Sequence, residues 1–217
     1  MLKPNQYLNI ALSIILAILG NGCTRLKAKD ECDILIQSLK EIQSTVNSIS
    51  DRSKNESMPV FFLGDSKNKI TNQAQLVETI RVRANRAEQN LAKLADDSKM
   101  VSQKIAQIKL DAIAALEQKQ NTSIIDARNY YVKVIDGRTD KVNKIREIIV
   151  SLKKIDNSPE GINDWKESLK EVTDIADKIW TDWRELFKAE TAISWYCRGY
   201  ENGEFLINNE HPSFPNN

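Results

Sequence analysis

Apolar residues recur at steps of three and four over most of this chain, the spacing that places side chains on one face of an α-helix. The first stripe follows this rule without a miss: Cys32, Leu35, Leu39, Ile42, Val46 and Ile49. Comparable stripes predict helices over about 30–50, 70–120, 123–156 and 159–198. Together they predict an all-α fold, an elongated antiparallel bundle of about four helices over 30–199 with coiled-coil-like packing.

The second stripe is the longest, running from Ile70 to Ala115. A helix over 70–120 would be roughly 75 Å long and would need partners along its whole length, because isolated helices are only marginally stable in water. The fourth stripe is broadened by a second apolar row made of Trp180 and Phe187. So wide a face predicts contact with at least two other helices.

Helix boundaries are marked by residues with local conformational preferences. Ser158 is a suitable N-cap and Pro159 suits the first position of a helix, so the fourth helix is predicted to begin there. Gly137 weakens the third helix, and Arg138 falls on its apolar stripe, so a kink or local fraying is expected. Residues 200–217 contain several Asn, Gly and Pro residues and are predicted to form an irregular tail.

The first 23 residues have a different character. Lys3 precedes a largely apolar run from Ile10 to Leu19, and Gly20, Asn21 and Gly22 lead into Cys23. At about 1.5 Å per residue, this run covers roughly half of a ~30 Å hydrocarbon core, so it is too short to cross a bilayer as a helix. The layout is typical of an export signal.

This segment resembles the signal peptide of a bacterial lipoprotein, in which a cysteine becomes the lipid-modified first residue of the mature protein. The resemblance implies a signal peptide over 1–22, lipidation of Cys23, and a tether over 23–29 that anchors the bundle to a membrane. It also implies a location in the bacterial cell envelope, facing the periplasm or the exterior. A signal without lipid and a buried helix of a cytosolic protein are the alternatives.

Charge is evenly balanced along the chain. The full sequence has 31 basic and 30 acidic side chains, and removing residues 1–22 removes Lys3 alone, which leaves 30 of each sign. Nucleic-acid binding normally requires a clustered basic surface. The charge pattern therefore argues against a nucleic-acid partner.

Cys32 and Cys197 are the other two cysteines. In an oxidising compartment they could form a disulfide that joins the start of the first helix to the end of the last. The alternative is that both are small buried apolar residues, since free cysteine packs well. A disulfide requires these two helix ends to meet.

Residues suited to catalysis or metal binding are scarce in this sequence. His211 is the only histidine and lies in the tail, so neither a histidine metal cluster nor a Ser-His-Asp arrangement has a basis. Carboxylate pairs such as Glu167 and Glu171 share a helix face, but on so charged a helix they are usually solvated. We therefore predict a non-enzymatic protein with no metal and no cofactor.

Two aromatic pairs are candidate contacts to a partner or a membrane. Phe61 and Phe62 belong to the apolar run Val60 to Leu63, which could insert in a membrane or cover one end of the bundle. Trp195 and Tyr196 lie near the end of the last helix, in a set of Trp and Tyr residues that could form an interfacial anchor, a ligand pocket or simply bundle core.

These observations predict a membrane-tethered, non-enzymatic helical envelope protein that acts as a protein-interaction or scaffold module. Its partners would be the membrane, through lipidated Cys23, and an unknown envelope protein. A homodimer is a further candidate, because the long stripes could be completed between chains. The alternative function is a membrane-active helical effector or pore-forming protein that uses the apolar loop from Val60 to Leu63.

Overall fold

The computed structural model describes residues 4–62, 72–117 and 124–202, with side chains described from Gly22 to Gly199 within those ranges. The described residues form helices joined by turns and short loops, without strands, so the predicted all-α class is confirmed. Six α-helices are present in them, and a short 3-10 turn, Met58–Val60, follows the first. The helices are α1 Pro4–Ser57, α2 Gln73–Ala106, α3 Asp111–Glu117, α4 Ile124–Leu152, α5 Pro159–Thr181 and α6 Trp183–Asn202.

Four long arms form the bundle: α1, α2, α4, and the consecutive pair α5 and α6. Neighbouring arms are antiparallel, because residues with higher numbers on one arm contact residues with lower numbers on the next. The contacts between α1 and α2 include Arg52 with Asp97 (3.0 Å) and Glu41 with Lys104 (2.6 Å). Those between α2 and α4 include Glu88 with Lys153 (2.6 Å) and Ser98 with Thr139 (2.7 Å). Lys54 with Asp177 (2.7 Å) and Cys32 with Cys197 join α1 to the fourth arm.

The first helix is longer than predicted at both ends. Residues 23–29, predicted as a tether, are helical, and Ala28 is fully buried, so the packed bundle begins before Asp30. The polar stretch after Ile49 also stays helical to Ser57. Two of its serines satisfy their hydroxyls inside the helix: Ser53 Oγ donates to the Ser50 carbonyl at 2.7 Å, and Ser57 Oγ donates to the Ser53 carbonyl at 2.6 Å.

The second predicted helix is interrupted where one continuous helix over 70–120 was expected. α2 ends at Ala106, and α3 begins only at Asp111. Arg128 Nη1 donates to the carbonyl oxygens of Ala106 (2.9 Å) and Ile108 (3.2 Å), so distant side-chain atoms satisfy backbone groups that the break releases. The prediction was wrong here because the apolar spacing continues through a break that tertiary contacts stabilise.

The fourth arm is also interrupted, although a single helix over 159–198 was predicted. α5 begins as expected, with the Ser158 hydroxyl accepting the Gly161 N–H at 3.0 Å and Pro159 in the first turn. It ends at Thr181, and α6 begins at Trp183. Asp182 lies between the two helices, and its Oδ2 forms an ion pair with Nζ of Lys141 on α4 at 2.6 Å.

The core consists of two apolar clusters stacked along the bundle. The disulfide-end cluster includes Cys32, Leu35, Ile105, Tyr131, Ile193 and Cys197. The cap-end cluster includes Ile49, Phe61, Leu91, Ile145, Val172 and Ile179. Such long apolar contact between antiparallel arms provides most of the stability of a bundle, since helix propensity alone contributes little.

A buried polar level lies between the two clusters. Ser98 and Thr139 share a hydrogen bond there, and Arg138, only 2% exposed, donates from Nη1 to the Val46 carbonyl at 3.2 Å. α4 stays helical through Gly137, so the weak point predicted at 136–139 does not end the helix. Arg138 occupies the stripe position that its spacing predicted, as a buried cation instead of an apolar side chain.

Candidate interaction surface

The two cysteines Cys32 and Cys197 meet at one end of the bundle. The structure joins their sulfurs in a disulfide, with Cα atoms 5.6 Å apart and a sequence separation of 165. Both side chains are buried in the disulfide-end cluster. The disulfide therefore links α1 to α6 at the end of the bundle nearest Cys23.

Trp195 and Tyr196 pack beside this disulfide end. Their rings form an edge-to-face pair with centroids 5.5 Å apart. Tyr196 is buried, and Trp195 is partly buried against the same apolar cluster. Burial raises the pKa of the Tyr196 hydroxyl. These two residues therefore belong mainly to the core and offer little free surface to a partner.

Cys23 is a free, exposed thiol on α1. It lies nine residues before Cys32, about 13 Å along the helix. A lipid on Cys23 would place the membrane next to the disulfide end. The side chains of residues 1–21, which include the apolar run of the predicted signal, lie outside the described residues.

Phe61 and Phe62 lie at the opposite end of the bundle. Val60 and Phe61 are buried in the cap-end cluster, and the Phe61 ring stacks on Trp165 with centroids 6.4 Å apart. Trp165 Nε1 donates to the Val60 carbonyl at 3.2 Å, which holds the turn against α5. Phe62 is 63% exposed, and Leu63 lies outside the described residues. Most of the described apolar run thus covers the end of the bundle.

Three exposed aromatic side chains form the largest unpacked apolar feature on the fourth arm. Trp180 is 51% exposed, Trp183 46% and Phe187 60%, and the centroids of Trp183 and Phe187 lie 6.2 Å apart. We call these three residues the aromatic surface. The fourth arm contacts both α1 and α4, so the prediction that its wide face meets at least two helices is confirmed. The rings of Trp180, Trp183 and Phe187 nevertheless stay about half exposed, so the expected widening of that contact by these rings was wrong.

The interruption at Asp182 falls within this exposed row. Val172 and Ile179 of α5 and Leu186 and Ile193 of α6 all face the core, although the helix between them is interrupted. Spacing alone places Trp183 on the same stripe as these residues. The only sequence signal for a separate surface was the offset position of Trp180 and Phe187.

Several charged side chains on the outside of the bundle pair across neighbouring helices. The Asp97 carboxylate is bound to Arg52, and Glu171 to Lys144 at 3.3 Å. A shallow groove between α1 and α2 is lined by this Arg52–Asp97 pair and by Lys104, which itself pairs with Glu41. No group of three or more His, Cys, Asp or Glu side chains within the described residues could hold a metal ion.

The buried carboxyls have a structural setting. Glu117 lies at the end of α3, where its carboxylate accepts the backbone N–H of Ile124, the first residue of α4. Burial raises the pKa of Glu117 to about 7. Glu190 lies near Tyr131 and Arg138, and burial raises its pKa as well. Both carboxyls belong to contacts between helices and face no described cleft.

Comparison with protein-family models, with curated proteins and with solved structures gives no match to this chain. Within the described residues, no helix is both long enough and apolar enough to cross a bilayer. The features of the chain that bear on its function are the aromatic surface and Cys23.

Proposed function

We propose that this chain is a membrane-tethered, non-enzymatic protein of the bacterial envelope that binds another protein. The aromatic surface is the single observation that carries the binding role. Isolated exposed apolar residues are ordinary, but three large rings gathered on one helix face are typical of an interaction site. The bundle supports such a role because its core is otherwise closed by apolar contacts.

The proposed anchor is a lipid on Cys23, supported by the resemblance to lipoprotein signals and by the exposure of this thiol. From Cys23 to Ser57, α1 would extend about 50 Å from the membrane, which suits a spacer or docking post. We further propose that the bundle is elongated with coiled-coil-like packing, as the three-and-four spacing of its stripes favours.

The anchor is tested by intact mass and fractionation of the chain produced in a bacterial host. The expected product is residues 23–217 plus a diacylglyceryl or triacyl group, found with membranes. Cys23→Ser should abolish the modification and release the protein from the membrane fraction. An unmodified full-length chain in the soluble fraction would overturn the tether.

The binding role is tested by photocrosslinking from the aromatic surface in intact envelopes. A photoreactive phenylalanine at Phe187 should give a discrete adduct with another protein, whereas the same group at exposed Met100 on α2 should not. Equal labelling from both positions would show only random encounter and would count against the proposal.

The alternative is a membrane-active protein, and the exposed ring of Phe62 is the observation that favours it. Dye release from liposomes distinguishes the two functions. A membrane-active protein would release dye and would lose that activity on Phe62→Asp. A tethered binding module would leave the liposomes intact at every concentration tested.

A further inference from the structure

We infer that the aromatic surface binds one amphipathic helix that carries acidic residues beside its apolar face. This inference rests on the proposed function and names the class of partner. Four features of the described residues carry it: the spacing of the rings, the charges beside them, the size of the patch and its position along the bundle.

The spacing of the three rings matches a helical ligand. Trp180, Trp183 and Phe187 stand at i, i+3 and i+7 along the fourth arm, so they form a row roughly parallel to its axis. A helix that lies along this row would place its own apolar residues between the rings, as ridges pack into grooves where two helices pair. The half-exposed indoles supply large, rigid contacts of the kind that dominates binding energy.

The charges beside the row favour an acidic ligand. Arg184 follows Trp183 directly, is exposed, and has no ion-pair partner among the described residues. Lys188 follows Phe187 and pairs with Glu185 at 2.8 Å, but its own side chain is 58% exposed, so this ion pair is weak. Glu185 also accepts the Tyr130 hydroxyl at 2.7 Å, so it keeps a partner when Lys188 turns to a ligand. Arg184 and Lys188 can therefore pair with carboxylates that flank an apolar helix face.

The size of the patch argues against a second copy of this chain as the occupant. Three aromatic side chains of about 150–250 Å² each, roughly half exposed, offer about 300 Å² of apolar area. A stable protein–protein interface buries about 800 Å² on each partner. One helix matches the smaller footprint, whereas a stable dimer would need further apolar surface.

The position of the patch argues against the bilayer. Lys54 of α1 pairs with Asp177, one turn before Trp180, and Cys32 bonds Cys197, ten residues after Phe187. The aromatic surface therefore lies about 30–40 Å from Cys23 along the bundle axis. A bundle that stands on a lipid at Cys23 holds these rings well above the head groups.

The test uses the full chain in phosphatidylcholine nanodiscs and two designed 18-residue helical peptides. Both peptides carry the same leucine face, flanked by Glu in one and by Lys in the other. Fluorescence anisotropy of labelled peptide, with empty nanodiscs as the blank, should show at least ~10-fold tighter binding of the Glu peptide. Trp183→Ala with Phe187→Ala should remove that binding, and Arg184→Glu should reverse the preference.

Met100→Ala is the matched control, since Met100 is an exposed apolar residue at another position, and it should leave binding unchanged. Three results would overturn the inference: no binding of the Glu peptide, equal binding of both peptides, or no effect of the three substitutions. If the chain self-associates and this association disappears with Trp183→Ala and Phe187→Ala, the surface binds a second copy of the chain instead. If the chain binds anionic vesicles and the same two substitutions abolish that binding, the surface binds a membrane instead. If the peptides do not bind but photocrosslinking from another surface captures a protein partner, this inference fails and the proposed function still holds.

Discussion

Two glycines have opposite effects on stability: one weakens its helix, and the other fits a position that has no room for a side chain. Gly137 lies inside α4, and a Cβ added there would meet no heavy atom within 4 Å. Gly161 lies in the first turn of α5, and a Cβ there would come within 2.6 Å of Asp156 Oδ1 and 2.9 Å of the Asp156 carbonyl oxygen. The side-chain oxygen can rotate away, but the carbonyl belongs to the backbone of the tight turn before α5.

We therefore expect Gly137→Ala to raise the free energy of unfolding by about 0.5–1 kcal/mol, because alanine loses less backbone entropy in a helix. Gly161→Ala should lower it by about 1–2 kcal/mol through crowding against the turn. Urea denaturation of both variants and the parent protein measures these changes. A stabilising Gly161→Ala would show that the turn relaxes freely.

The carboxyl of Glu117 predicts a pH dependence of stability. Its pKa in the folded protein is about 7 because of burial, above the ordinary value of 4.5. The folded state therefore binds the proton more tightly than the unfolded chain, and stability falls as pH rises from about 4.5 through 7. After allowance for partial exposure, the loss is about 1–2 kcal/mol.

Glu117→Gln should remove this pH-dependent loss, because the amide keeps an acceptor for the Ile124 N–H but cannot ionise. Thermal unfolding of the parent and the variant between pH 5 and 8 measures the difference. Glu147→Gln, at an exposed position on α4, is the control and should keep the slope of the parent. Parallel pH curves for the parent and Glu117→Gln would contradict the prediction.

Among the helices, α3 depends most clearly on a distant residue. The two carboxylate oxygens of Glu31 on α1 accept the N–H groups of Ala112 (2.9 Å) and Ile113 (3.0 Å) in its first turn. These are amides that a helix leaves without internal partners. Ser158, in contrast, caps α5 from the adjacent position, so sequence alone was sufficient to predict it.

We expect Glu31→Ala to destabilise the protein by about 1–2 kcal/mol, since it removes the acceptor for two largely buried amides. Hydrogen exchange should speed up first in 111–117, while the amides of α5 keep their protection. Glu41 lies on α1, like Glu31, but forms an exposed ion pair with Lys104 of α2. Glu41→Ala should therefore lower the free energy of unfolding much less than Glu31→Ala. Equal costs for the two substitutions would exclude a capping role for Glu31.

Across the whole molecule, the two apolar clusters and the polar level between them divide the bundle. The disulfide between Cys32 and Cys197 lies within the disulfide-end cluster, where it joins α1 directly to α6. Arg138, at the boundary, has one donor, Nε, without a hydrogen-bond partner among the described residues. Burial lowers its pKa, and the nearby charges of Asp182 and Glu190 oppose that shift. The apolar core is therefore interrupted at the polar level that contains Arg138, between the disulfide-end cluster and the cap-end cluster.

This arrangement predicts two cooperative units in hydrogen exchange. Amides of the cap-end cluster should exchange through a lower-energy opening than those of the disulfide-end cluster. Cys32→Ala with Cys197→Ala should lower the free energy of unfolding by about 2–5 kcal/mol and should bring the two units closer in stability. A single exchange free energy for the whole core, before and after this change, would contradict the division.

The sequence by itself determined the helical class, the four long stripes and the start of α5 at Ser158 and Pro159. Each of these depends on local spacing or on the preference of a single residue. Only the tertiary structure decided where α2 and α5 end, that Arg138 is buried, and that Trp180, Trp183 and Phe187 stay in solvent. A stripe shows which residues share a face of their own helix, but neighbouring helices decide how much of that face is covered.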